Sequence, residues 1–270
     1  MEHYKALVSN QLFSVDLFIV LGYNWNIMLL EELTTDDVKQ YLQEKSSIIL
    51  PVGSTEQHGP ANPLGTDFMA ANHIAQKACA QTNTICAPVI PIGLSEHHAK
   101  FSGTIWLSAR LYVELMKEYA LSLAFHGFDH FIFLNGHGGN TAALKEVAES
   151  LYFKHKLLAV VINWWQFLDE EELKEIFPVG TFGHAEAVET SINLALNPPL
   201  VKMESISTIK APEKWGKFLQ GISLPAYTNE FAADGVTGSL EGISGEAGSK
   251  VLETVIPKLV EFIEEFQNID

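Results

Sequence analysis

Apolar residues along this chain recur with two periods. Short runs rich in β-branched and aromatic residues alternate with longer stretches of helical spacing. Residues 47–53 (SIILPVG), 84–91, 131–135 (FIFLN) and 157–163 (LLAVVIN) read as buried strands. Residues 67–80 read as a helix that follows the first strand. Leu111, Leu115 and Tyr119 recur every four residues, which predicts an amphipathic helix over 108–126 with Ser108 as its N-cap. A helix over 140–155, capped by Asn140, follows the third strand. Further helices are expected over 186–197 and 245–266, the last with Val251, Val255, Leu259 and Ile263 on one face. Strands and helices alternating in this way predict an α/β fold. The sheet is expected to be mainly parallel, with helices on both faces in three α/β/α layers and right-handed crossovers.

No internal repeat, low-complexity tract or break in composition divides the chain, so residues 28–270 are expected to form a single domain. Residues 200–237 are the least regular and are expected to carry loops and a short helix near 212–219. The regular pattern begins at Met28, which sets residues 1–27 apart as an N-terminal extension. Their apolar stretch, 13–22 (FSVDLFIVLG), is too short to span a bilayer.

Composition narrows the function classes. With 47% hydrophobic and 19% charged residues, the chain can bury a large core. Acidic residues outnumber basic ones 33 to 17, for a net charge of −16. A nucleic-acid binder needs cations to displace counterions from phosphates, and anionic lipid repels the same surplus. Neither nucleic acid nor membrane is therefore an expected partner. Cys79 and Cys86 are too few for a disulfide framework or a zinc knuckle. They read as core thiols, which suits a cytoplasmic location.

In an open parallel sheet, ligands gather beyond the carboxyl ends of the strands. The chemically capable residues fall there. GSTEQHGP, with Glu56 and His58, follows the first strand; GLSEHH, with Glu96 and His97, follows the second; NGHGGN, with His137, follows the third. Glu56 and His58 are two apart, so in extended chain both point the same way. Asp67 opens the next helix. Such a carboxylate–imidazole set suits Zn²⁺, Mn²⁺ or Fe²⁺. Gly138 and Gly139 beside His137 leave room for a ligand, and their amides are candidates to hold an oxyanion. The same loop read alone is a phosphate cradle, which keeps a nucleotide- or phosphate-binding module as an alternative. No P-loop Lys or Ser/Thr and no GxGxxG accompanies it. His184 is a candidate proton shuttle. It stands five residues before Glu189, off a common helical face, unless the helix starts just after His184. Trp164 and Trp165 follow the fourth strand and are candidates for an aromatic wall. His3, His73, His126, His130 and His155 read as ordinary surface or core residues.

LPVGSTEQHGPANPLGTD, GLSEHHAKFSGTIWLS, NGHGGN and GHAEAVETS resemble, in this order, the motifs of the creatininase family. The resemblance runs from about Met28 to the C-terminus. It implies a layered α/β fold, a site with two divalent metal ions, a small nitrogenous substrate and a homohexamer. It implies metal ligation at Glu56, His58, Asp67 and His137, with Asp67 bridging, and catalytic participation of His184. Four positions depart from the family. Ala61 and Asn62 replace a His–Leu pair. Gly139 stands where creatinine-hydrolysing members carry a metal-binding Glu. Only Phe182 stands near His184 where those members have a Trp. The resemblance therefore points to the wider family, whose members cleave formamides, cyclic amides or a peptide bond, and leaves creatinine itself as the alternative substrate. Glu189 is then expected to complete the second metal site, as a ligand or a catalytic group.

Overall fold

The computed structural model describes residues 27–179, 182–208 and 225–269. The short helix expected near 212–219 and nearly all of the N-terminal extension lie outside these residues. Four strands form the sheet: β1 (Ser47–Val52), β2 (Ile85–Cys86), β3 (His130–Asn135) and β4 (Leu158–Asn163). All pairings are parallel, in the order β2-β1-β3-β4. The helices are α1 (Thr35–Tyr41), α2 (Thr66–Thr82), α3 (Ala109–Phe125), α4 (Thr141–His155), α5 (Glu170–Ile176), α6 (Ala187–Leu196) and α7 (Gly245–Phe266).

The period-2 alternation of the strands sorts their side chains into two cores. Ile48, Leu50 and Val52 of β1, with Phe131 and Phe133 of β3, pack against Tyr112 and Met116 of α3 and Leu144 and Val147 of α4. Ile49, Ile132 and Leu134 face the other way, onto Ile74 of α2, Ile192 of α6 and Val251, Val255, Leu259 and Ile263 of α7. Because both faces are covered, the strands read as unbroken apolar runs. This is the expected three-layer α/β/α arrangement, and α7 presents the predicted face.

Some details differ from the expectation. The second strand is two residues long instead of eight. Pro88 has no N–H to give a ladder, and pairing resumes only at Ile90, which donates to Pro51 O at 3.0 Å. Asn140 does not cap α4 with its side chain, which is drawn instead to two other loops. Ser108 occupies the N-cap position of α3 without a side-chain capping bond. Helices α1 and α5 were not anticipated. Each is seven residues long and starts at a capping box, Thr34 with Asp37 and Asp169 with Glu172. Two turns are too few to show a period, and the boxes were the available signal. Both cysteines are buried and unbridged, as core thiols should be. Among the described residues no helix is long and apolar enough to cross a membrane.

The ends of three strands lie in one row, with Val52 opposite Asn135 and Asn135 opposite Asn163. The loops that leave β1, β3 and β4 therefore start side by side.

Candidate active site

Amide side chains fasten these loops to the strand ends. Asn135 donates through Nδ2 to His137 O at 2.6 Å and to Asn163 Oδ1 at 2.8 Å, and its Oδ1 accepts from His137 N at 3.1 Å. Asn140 donates to Gly53 O and accepts from Leu94 N, each at 3.0 Å, which ties the loops after β1, β2 and β3 together. A Cβ on Gly136 would stand 2.2 Å from Asp67 O, so glycine is what lets the β3 loop lie against the start of α2. Asp67 sits in the first turn of α2, where the helix dipole favours a carboxylate.

The result is a buried cluster. His58 Nε2 lies 2.9 Å from Asp67 Oδ1 and 3.6 Å from Glu189 Oε2. His137 Nδ1 lies 3.2 Å from Glu56 Oε2 and 3.1 Å from Asp67 Oδ2. Two donor triads result, Glu56–Asp67–His137 and His58–Asp67–Glu189, with Asp67 in both; a third combination, Glu56–His58–His184, overlaps them. Despite this crowding, Glu56 Oε1 and Oε2, His58 Nε2 and Asp67 Oδ2 are buried without a hydrogen bond among the described residues. Orphaned polar atoms are costly unless something electropositive meets them.

The imidazoles are oriented for that purpose. The Nδ1 of His58 donates to Glu56 O (3.1 Å) and the Nε2 of His137 donates to Leu94 O (3.3 Å). With the outer nitrogen on a backbone carbonyl, the inner nitrogen is the free donor, as in metal-ligating histidines. The donor set therefore fits a pair of divalent cations with N and O preference.

Without cations the cluster perturbs its own titration. For His58, burial works against the charge, but Asp67 and Glu189 outweigh it and hold the pKa at about 10. Burial likewise opposes the His137 charge, and Glu56 with Asp67 carries its pKa well above the usual value. Burial pushes Glu56 and Asp67 up, yet the facing imidazoles, His137 for one and His58 for the other, bring both below the usual carboxylate range. Burial dominates elsewhere. It lifts Glu189 to about 7, and with Glu189 alongside it lifts Glu186 to about 8. It also drives His184 well below its usual value, with His58 adding repulsion, and takes His98 to about 3.

A cavity of ≈ 370 Å³ opens onto the cluster, and His97, Gly138, Gly139, Trp165, His184 and Glu189 are in its wall. Trp164 meets Trp165 edge to face, with ring centres 5.7 Å apart, Phe182 meets Trp164 edge to face at 6.5 Å, and all three line the cavity. His184 and Glu189 both reach the site because α6 begins only at Ala187. Ala185, in the left-handed region at φ +56°, turns the chain between them and donates its N–H to Glu189 Oε2 at 2.6 Å. Gly139 has no room for a larger residue as the loop stands, since a Cβ would fall 2.4 Å from His137 Nε2. Glu96 is not brought to the cluster; it is exposed and lines a neighbouring cavity with His97, Tyr227 and Glu230. The carboxylates of Glu56, Asp67, Glu186 and Glu189 beside the glycine loop make it a poor phosphate cradle.

Three site residues went unselected in the sequence. His98 is buried, with Nε2 3.4 Å from Glu56 Oε1. The 3₁₀ turn Glu96–His98 turns it inward and leaves His97 exposed, and the doublet of histidines was the available signal. Glu186 lines the cavity and accepts from Val188 N at 2.6 Å at the start of α6. Gln57 links His98, His184 and Gly235.

A mycofactocin precursor peptide peptidase from Mycobacterium ulcerans (strain Agy99) is 31% identical over 195 residues, 69% of this chain and 72% of that protein. A creatinine amidohydrolase from Pseudomonas putida is 25% identical over 236 residues, 81% of this chain and 88% of that protein. A crystal structure of creatinine amidohydrolase superimposes with a TM-score of 0.82 at 22% identity, over 91% of this chain and 100% of that one. Two more solved creatininases, a variant of Zn–Zn type and a Mn form, give TM-scores of 0.80 and 0.78, each at 22% identity. They cover 89% and 90% of this chain and 98% and 99% of their own. The family model for creatininase, described as creatinine amidohydrolase, matches residues 31–263, and the chain belongs to this family of metal-dependent hydrolases acting on C–N bonds.

Proposed function

We propose that the protein is a two-metal amidohydrolase that cleaves an amide C–N bond of a small cyclic amide or formamide with water. The observation that carries this reading is the pair of donor triads sharing Asp67, in which both Glu56 oxygens, His58 Nε2 and Asp67 Oδ2 are buried without a hydrogen bond among the described residues. Glu56 and His137 would hold one cation, His58 and Glu189 the other, and Asp67 both. Zn²⁺ and Mn²⁺ are the first choices, given the solved relatives, and Fe²⁺ suits the donor set as well. Bound cations supply Lewis acidity and a water of lowered pKa.

The chain's own groups do the rest. His184, in the cavity wall with Nδ1 3.6 Å from Glu56 Oε1, takes a proton from water and returns it to the leaving nitrogen. The amides of Gly138 and Gly139 line the cavity where oxyanion charge develops. Trp165 and Phe182 exclude water and give the substrate ring a flat wall.

Creatinine itself is disfavoured, because Gly139 offers no carboxylate and Phe182 replaces the expected Trp. A second reading is cleavage of a peptide C–N bond. The neighbouring cavity, ≈ 410 Å³ and sharing His97 as a wall residue with the first, supports it by giving room for a longer substrate, with Glu96 in its wall. Screening creatinine, hydantoins, formamidopyrimidines and short peptides against Zn- and Mn-loaded protein separates the readings. Metal content near zero after purification without chelator, with none regained from added Zn²⁺ or Mn²⁺, sinks them all.

The protein is also proposed to be a closed homo-oligomer, a hexamer by family resemblance. Ile105, Trp106, Leu111 and Leu115 are exposed apolar residues around the start of α3, which supports a buried contact there. Light scattering that returns a monomer mass at micromolar concentration contradicts it.

A further inference from the structure

Gln57 lies between two of the cluster residues, and the orientation of its side-chain amide is fixed by partners that can play only one part. Gly59 N–H can only donate, and it reaches Gln57 Oε1 at 2.9 Å. The Gly235 carbonyl can only accept, and it lies 3.0 Å from Gln57 Nε2. The Nε2 group has two hydrogens, so one remains. Two imidazole nitrogens stand within reach of it, His98 Nδ1 at 3.0 Å and His184 Nε2 at 2.8 Å. His184 Nε2 is also 2.8 Å from the main-chain oxygen of Gln57, which only a donor satisfies.

One arrangement leaves no acceptor without a hydrogen. His184 carries its hydrogen on Nε2 and donates to Gln57 O, and Gln57 gives its second hydrogen to His98 Nδ1. Three hydrogens then meet three acceptors. A bare His184 Nε2 would instead leave two hydrogens for four acceptors and set two acceptors face to face at 2.8 Å. The inner nitrogens follow. His98 presents Nε2–H, 3.4 Å from Glu56 Oε1, and His184 presents a bare Nδ1, 3.6 Å from the same oxygen. Both rings line the cavity, and they stack with centres 4.3 Å apart.

We propose that Gln57 is a positioning residue that divides the work of two imidazoles, fixing His98 as hydrogen-bond donor to the substrate and His184 as proton acceptor. The chemical roles rest on the hydrolase reading. As the water oxygen bonds to the carbonyl carbon, one of its protons moves to His184 Nδ1. That proton passes to the leaving nitrogen as the C–N bond breaks, which restores His184, and the other proton of the water stays with the acid product. His98 donates to the substrate carbonyl oxygen throughout and keeps its proton. The hydrogen bond from His184 to Gln57 O steadies the imidazolium while it exists.

The test reads the tautomers directly. Zinc-loaded protein containing ring-¹⁵N histidine is observed by long-range ¹H–¹⁵N correlation, with signals assigned through His98→Asn and His184→Asn. Both rings should be neutral with hydrogen on Nε2. Gln57→Glu keeps the shape but cannot donate where Nε2 stood, so His98 should then carry hydrogen on Nδ1. In that variant kcat should fall about 10- to 100-fold, the usual cost of losing an outer partner, with KM and zinc content little changed. Gln57→Met, which donates nothing, serves if the Glu variant does not fold. Hydrogen on His98 Nδ1 in the unaltered protein, a bare His184 Nε2, or an unchanged His98 tautomer in both variants overturns the proposal. The spectra need no substrate, so they stand apart from the hydrolase reading, which turnover tests.

Discussion

Asp67→Ala should strip both cations at once. The carboxylate is shared by the Glu56–His137 and His58–Glu189 donor sets, so its loss leaves each cation two protein donors. It also removes one of the three negative charges, Glu56, Asp67 and Glu189, that offset two dications. Metal content should fall from two per chain to well below one. The stability linked to metal should go with it. A ligand at 100 times its Kd contributes about 2.7 kcal/mol per site, so two sites supply ~5 kcal/mol, and at about 2–4 °C per kcal/mol for a chain of this size Tm should rise by ~10–20 °C. The assay pairs elemental analysis with thermal unfolding of chelated and Zn²⁺-loaded protein. The unaltered protein should show the rise and Asp67→Ala should not. If the variant keeps two metals per chain and the same rise in Tm, Asp67 does not bridge and the ligand assignment is wrong.

His184→Ala should keep its metal while losing roughly 10²–10⁴-fold in rate, the usual worth of acid–base help; if it empties the site as Asp67→Ala does, His184 is a ligand. Metal uptake should release a proton at pH 8, because His58, with a pKa of about 10, holds it in the chelated protein and must shed it to ligate. An indicator titration at pH 8 should count ~1 proton or more per chain, and a value near zero refutes the raised pKa of His58. The same shift sets the pH dependence of the chelated fold. For His58 the folded pKa lies above the unfolded value of about 6.5, so this stabilisation is full below that pH and is lost as pH rises through 10. Chelated protein should therefore unfold at lower denaturant concentration at pH 9 than at pH 6.5, and a midpoint that does not fall tells against it. Phe133→Ala, which empties a fully buried position on β3, should cost about 3–5 kcal/mol by denaturant titration; a loss under 1 kcal/mol contradicts the packing described.

Much of the site was legible because its residues sit in short polar loops directly after apolar strands. Glu56 and His58 share a direction by the i, i+2 rule, and parallel strands with ends in register bring His137 to them. What stayed hidden depends on distant parts of the chain. Gln57 sits at i+1, and that rule selects only its neighbours. Its partners His184 and Gly235 are 127 and 178 residues away, and no local pattern announces them. His98 and His97 are alike in sequence, and only the sense of a 3₁₀ turn separates them. The sequence predicts too long a second strand because apolar composition does not register a missing N–H, whereas a ladder does.

The Asn135–Gly136 step also bears on how the protein ages. Deamidation at an Asn–Gly pair begins when the glycine nitrogen attacks the side-chain carbonyl, and glycine ordinarily makes that attack easy. Here Gly136 N is committed to Val52 O at 2.8 Å, and Asn135 is fully buried with both ends of its amide engaged. The reaction would replace a donor with an acceptor facing His137 O and Asn163 Oδ1, which would push the His137 loop away from the strand ends. The folded chain thus shields its most labile peptide step at the point where damage would do most harm, and chemical wear there begins only once β3 has come away from β1.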